Sequence, residues 1–146
     1  MKKLVLLLAL AAICAPSSRA AAQAAKYVVV VNPSNPVRRL NKSQLSKIYL
    51  GKLRGWDMNG RVEPIVVLDL KAGSPLREKF TQDVLRKSLS EAEAYWRQEV
   101  YAGRSFPPIE QSETEALDQV RSSVGGIAYV SSGADLKGVK VVSVQE

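Results

Sequence analysis

The sequence has no histidine, and its one cysteine, Cys14, falls within the first two dozen residues. Without imidazole or further thiols there is no Ser–His or Cys nucleophile, no thiolate metal site and no disulfide pair within the chain. Neither a glycine-rich nucleotide loop nor a Ser-x-x-Lys pair occurs, so we expect no enzyme and no cofactor or metal. Charge of either sign forms no block. There is no low-complexity tract, internal repeat or linker. The one long apolar run, Leu4 to Ala15, is too short to span a bilayer as a permanent anchor.

That run follows Lys2 and Lys3 and precedes the small-residue stretch Ser17 to Ala25, with A-x-A-like sites at Ser18-Arg19-Ala20 and Ala22-Gln23-Ala24. A basic start, a short apolar region and small residues make a secretory signal peptide over residues 1–24. Ile13 before Cys14 is not the small residue that lipidation calls for. The expectation is therefore an exported soluble protein, periplasmic or secreted, without stable membrane insertion. Removing Lys2, Lys3 and Arg19 lowers the formal net charge from +7 to +4. This mild surplus weakly favours anionic ligands and does not support nucleic-acid binding. Residues 25–146 suffice for one domain with a core that needs no disulfide.

Along that domain, Tyr27 to Val31 (YVVVV) reads as a strand buried on both faces. Two prolines in Asn32 to Pro36 (NPSNP) prevent helix and central strand alike. Asn41 and Gln44 form a capping box for a helix carrying Leu45, Ile48 and Tyr49, with Gly51 at its left-handed end. Arg54 to Gly60 (RGWDMNG) is turn-rich, and Val62 to Leu70 reads as a second buried strand interrupted by Pro64. Ser74 and Pro75 open another helix as N-cap and N1, with Leu76, Phe80 and Val84 on one face. Ser90 with Glu93, and Ser112 with Glu115, start two more. Gly125 to Val130 and Val139 to Val144 supply the last strands. Buried strands alternating with amphipathic helices predict a three-layer α/β sandwich.

The stretch Leu68 to Phe80 (LDLKAGSPLREKF) carries the candidate site. Ser74 caps the helix and Gly73 shapes its turn whether or not either has a further role. Arg77, however, places a cation at the positive end of the helix dipole, which disfavours it by roughly 0.3–1 kcal/mol, with Glu78 alongside as a partial offset. Free N–H groups, a hydroxyl and a guanidinium at one point would make an oxyanion site.

The pattern GSPLREKF resembles the Gly-Ser-Gly-Thr-Arg-x-x-Phe helix start of phosphate-binding proteins that serve ABC transporters. VVVVNPSNPV resembles the crossover strand into their second lobe. LNKSQLSKIYLGKLRGW is similar to their helix ending in Phe-x-Gly-Lys with a tryptophan soon after, and VRSSVGGIAYVSS to their Pro-Gly-Ala-Ile-Gly-Tyr-Val segment. The likeness runs from about Tyr27 to Ser131. It implies one lobe of a type II periplasmic binding protein, holding a small oxyanion, phosphate first, through Ser74 and Arg77. It departs at Pro75, which has no N–H to donate, and at Leu76, which has no hydroxyl. The second lobe that would close over an anion is missing.

Arg104, on the loop Tyr101 to Pro108, is a further candidate ligand-binding residue if it reaches Gly73, Ser74 and Arg77; otherwise it is a solvated loop arginine. Trp56, Tyr95 and Trp96 could line a binding face, or pack in the core. Lys42, Lys47, Lys52 and Arg54 form a basic cluster that could meet an acidic surface, or simply face solvent. The alternative to oxyanion binding is an interaction module that kept the fold and lost the ligand, meeting a second chain or an envelope protein through its open cleft face.

Overall fold

The computed structural model describes residues 26–146; the expected signal peptide lies outside the described residues. β1 (Tyr27–Val31) sits inside a six-stranded sheet of order β2-β8-β1-β7-β5-β6. Successive strand side chains alternate faces, so Val29 and Val31 enter one core while Val30 enters the other. Both faces of the strand are covered, which is why its sequence shows no polar alternation. The remaining members are β2 (Arg39–Asn41), β5 (Val66–Leu70), β6 (Ile109–Gln111), β7 (Gly126–Ser131) and β8 (Lys140–Gln145). β1 is antiparallel to both neighbours, and the other five strands run the opposite way.

Helices cover both faces and give the expected three layers. One core joins the sheet to α1 (Lys42–Tyr49) and α2 (Pro75–Phe80) through Leu45, Ile48, Leu76 and Phe80. The other joins it to α4 (Glu113–Ser122) through Ala116, Leu117 and Val120. The capping boxes at Asn41–Gln44 and Ser112–Glu115 are both formed. Gly51, just beyond α1, has φ +67°, as a left-handed helix end requires. Asn32 does more than break the chain: its buried amide donates to the carbonyls of Val120 (2.9 Å) and Arg121 (3.0 Å), satisfying orphan groups near the end of α4.

Three expectations need correction. The capping box of α3 (Leu89–Tyr101) is Ser88 with Glu91, not Ser90 with Glu93. Ser90 and Glu93 repeat the same spacing two residues later, but the chain has already turned at Arg86, whose φ is +54°. Val62 to Leu70 is not one strand. It divides after Pro64 into β4 (Arg61–Pro64), which pairs with β3 (Gly55–Met58) in a separate hairpin, and β5 in the main sheet. Asn59 and Gly60 at that hairpin's tip both have positive φ, the geometry a two-residue primed turn needs. Finally, the three-residue strands β2 and β6 close the two sheet edges, where the sequence reading placed no strand.

Between α2 and α3 the chain winds through a π-helical turn, Thr81–Leu85, before the left-handed Arg86. Trp56 is a core residue; its Nε1–H donates to the Gly125 carbonyl at 3.0 Å. No described helix is long and apolar enough to cross a membrane.

Candidate functional site

Asp69 is a single carboxylate in the apolar run of β5, and Arg77 lies in the first turns of α2. Pairing of β5 with β6 sets Asp69 opposite Glu110, so two carboxylates flank the guanidinium. Arg77 Nη1 is 2.7 Å from Glu110 Oε1, and Nε is 3.4 Å from Asp69 Oδ2. The Arg77 side chain is only 13 % exposed, and Asp69 17 %. Asp69 also accepts the Tyr129 hydroxyl and, at 2.8 Å, the N–H of Leu70. Tyr129 is held in turn by Phe80, whose ring stacks on it with centroids 3.9 Å apart and planes 4° from parallel.

The electrostatics follow from this packing. Burial raises the Asp69 pKa, and the hydrogen bond from Tyr129 and the charge of Arg77 only partly oppose it. Burial would lower Arg77, but Asp69 and Glu110 outweigh it and keep its pKa above the ordinary value. Tyr129 is pushed well up, first by burial and then by the adjacent Asp69 charge. With all three charged, one arginine and two carboxylates leave the cluster at −1. The guanidinium has its counter-charge within the fold.

The helix start itself offers little more. Ser74 Oγ accepts the Arg77 N–H at 3.4 Å, and the Ser74 carbonyl takes the Glu78 N–H at 3.2 Å. Pro75 has no N–H, and Leu76 is buried in the core. Gly73, with φ +86°, makes the turn into α2, and the space beside its Cα is open.

Beside Arg77 lies a groove of about 620 Å³ between the π-turn, α3 and β6. Tyr49, Phe80, Leu85, Leu89, Ala92, Trp96, Val100, Tyr101, Pro107 and Pro108 give it apolar walls, and Asp69, Arg77, Thr81, Glu93, Arg97 and Glu110 supply its polar lining. A second groove, of about 650 Å³, contains Arg104 and shares Trp96, Pro107 and Pro108 with the first. Arg104 therefore does not join Gly73, Ser74 and Arg77. Its guanidinium is held by Glu99 at 2.7 Å, and its carbonyl accepts Arg54 Nη2 at 2.8 Å.

The family of these features is decided by a match over residues 22–145 to the PBP superfamily domain. The chain belongs to that superfamily. Among solved structures, this PBP domain is similar to a putative phosphate ABC transporter substrate-binding protein with bound phosphate from Clostridium perfringens. That pair has a TM-score of 0.65 and 23 % identity over 82 % of this chain and 45 % of the other. PstS from Borrelia burgdorferi gives 0.64 and 16 %, over 84 % and 48 %. An ABC-type phosphate transport receptor from Vibrio cholerae gives 0.59 and 22 %, over 82 % and 46 %. At such identities the likeness establishes the fold, and this chain spans just under half the length of each. No curated protein matches the chain.

Asp69, Glu110 and Tyr129 escaped the sequence reading, and of the α3 wall it singled out only Trp96, which lines both grooves. Asp69 had a signal, since a lone carboxylate inside an apolar strand needs a partner. Glu110 had none, because only the β5–β6 pairing brings it to Arg77.

Proposed function

We propose that this PBP domain is an exported interaction module whose working face is the apolar groove beside Arg77. Its occupant is a segment of a partner protein that presents an apolar side chain next to a cation. One observation carries the reading: the charge of Arg77 is answered by Asp69 and Glu110 in a mostly apolar groove whose further charged lining, Glu93 and Arg97, leaves the acids in excess. With three carboxylates against two guanidinium groups the lining favours a cation, and the apolar walls favour an aliphatic or aromatic group. A protein occupant is supported by Val100, Tyr101, Phe106 and Ile109, which are 45, 95, 81 and 51 % exposed around the two grooves. Contiguous exposed apolar surface of this kind marks interaction sites.

A photo-crosslinking residue in place of Tyr101 tests this in the producing cell. The expected result is one discrete protein adduct, lost when the groove residue Val100 is changed to Arg. Absence of an adduct, together with calorimetric phosphate binding that Arg77→Ala weakens, refutes it.

The same calorimetry serves the second reading, a small oxyanion such as phosphate at Gly73, Ser74 and Arg77. The favouring observation is that Glu110 lies on an edge strand with its side chain 49 % exposed, so an anion from solvent can compete with it for Arg77. Under that reading phosphate binds weakly, affinity falls with salt, and Arg104→Ala has no effect.

A further inference from the structure

On the other side of the π-turn, α1 and Arg86 enclose a groove of about 390 Å³ that shares only Leu85 with the apolar one. Lys42, Lys47, Lys52 and Arg86 line it, together with the hydroxyls of Ser43 and Ser46, and no carboxylate does. Lys42 is paired with Glu146. Among the described residues, no carboxylate comes within 4.0 Å of the cationic nitrogens of Lys47, Lys52 or Arg86. Farther groups interact through space: Glu99 senses the charge of Lys52, and Tyr27 senses Asp83, Glu146 and Arg86. That leaves three cations around one concavity without a close counter-charge, and a multiply charged anion would supply it.

The backbone offers an independent sign. Arg86 adopts φ 54° and ψ 39°, unfavourable for any residue with a Cβ, directly after a π-helical turn. Two sparsely populated conformations in succession set Arg86 in the lining of the same groove as Lys42 and Lys47 of α1. Such outliers concentrate at functional sites. On α1, Ser43 and Lys47 are four residues apart, as are Lys42 and Ser46, so cation and hydroxyl alternate along the helix side that lines the groove.

We propose that this groove binds a phosphate-bearing polyanion, either a soluble phosphorylated molecule or the headgroups of an anionic lipid. Arg86 supplies a planar fork suited to two phosphate oxygens, Lys47 and Lys52 supply point charges, and Ser43 and Ser46 donate hydrogen bonds. This site is separate from Arg77 and is independent of what occupies the apolar groove.

The test uses inorganic tripolyphosphate in calorimetry, and co-sedimentation with phosphatidylglycerol vesicles against phosphatidylcholine vesicles. Arg86→Gly removes the guanidinium at a position where glycine is unstrained, so the fold should hold or gain. Lys47→Gln changes an exposed side chain and cannot unfold the domain. Each should weaken binding about fivefold at low salt, and less as salt screens the site. Arg61→Gln, on the distant hairpin, should leave it unchanged. Tripolyphosphate binding without vesicle binding assigns a soluble ligand; vesicle binding lost in both variants assigns a lipid surface. Failure to bind either probe overturns the proposal. So does an equal loss in Arg61→Gln, which would signify diffuse charge, or a loss confined to Arg77→Ala.

Discussion

Arg77→Ala separates the two readings of the cleft face most sharply. If the guanidinium is kept for a ligand, removing a cation from the first turns of α2 should leave stability unchanged or improve it, as the helix dipole requires. If it serves to compensate Asp69, its loss leaves a largely buried carboxylate without its counter-charge. Removing one partner of a fully buried pair costs about 3–5 kcal/mol. Asp69 keeps its hydrogen bonds from Tyr129 and Leu70, and the half-exposed Glu110 arm contributes little, so about 2 kcal/mol is expected. For a domain of this size that lowers Tm by roughly 6–10 °C. The pH dependence has a definite sign. Burial already raises the Asp69 pKa above 3.8, and losing Arg77 raises it further. An acid whose folded pKa is raised costs stability as pH rises through that value. The deficit of Arg77→Ala relative to the parent should therefore be greatest at neutral pH and shrink on acidification toward 3.8. Asp69→Asn in the Arg77→Ala background, which retains an acceptor for Tyr129, should recover most of the loss. Thermal unfolding across pH measures all of this. An unchanged or higher Tm for Arg77→Ala at neutral pH would refute the compensating role.

Gly125→Ala should be among the most damaging small changes. Its Cβ would lie 1.9 Å from the Pro64 carbonyl oxygen, a backbone atom that cannot yield without moving the β3–β4 hairpin. A loss of at least about 3 kcal/mol in urea unfolding is expected, against about 0.5 kcal/mol or less for Gly133→Ala, which has open space; equal effects would refute the clash. Glu115 is held down to about 2 by the Ser112 backbone N–H, the Ser112 hydroxyl and Lys71. A depressed acid stabilises above its unfolded value and loses that contribution as pH falls, here from 4.5 toward about 2. The stability gap between parent and Glu115→Gln should therefore be full at neutral pH and closed near the lower limit.

What the sequence displayed best was encoded by neighbours, although two local signals were misread, the Ser88 cap and the Asn59–Gly60 hairpin. The YVVVV strand, the caps at Asn41 and Ser112 and the left-handed Gly51 each depend on residues within four positions of one another. The elements it hid depend on distant partners. β2 buries only Leu40 among its three residues, and β6 buries none fully, so neither carries a period to read. Val62 looks like a core residue by type, yet the hairpin turns it outward to 77 % exposure. At the site, Arg77 stood out because its charge conflicts with its helix position. The resolution of that conflict came from Glu110 and Tyr129, which only sheet pairing and aromatic packing bring near. Arg104 illustrates the opposite case: a candidate by type whose local partner, Glu99, already holds it.

The π-turn has one more consequence, a matter of phase. Relative to α-helical winding, a π-turn accommodates one additional residue. A helix continuing past it would be rotated by about 100°, but here the left-handed Arg86 ends the winding directly after Leu85. Val84 keeps the four-residue spacing of Leu76 and Phe80 and enters the core with them, while Leu85, the last residue of the turn, lines both grooves as the ridge that divides the apolar one from the basic one. A homologue lacking one residue in this segment could keep the same sheet, caps and core yet lose the ridge, merging two chemically opposed surfaces into one. Within this superfamily, a single-residue gap opposite Thr81–Leu85 would thus mark a change of binding character rather than a trivial difference in helix length.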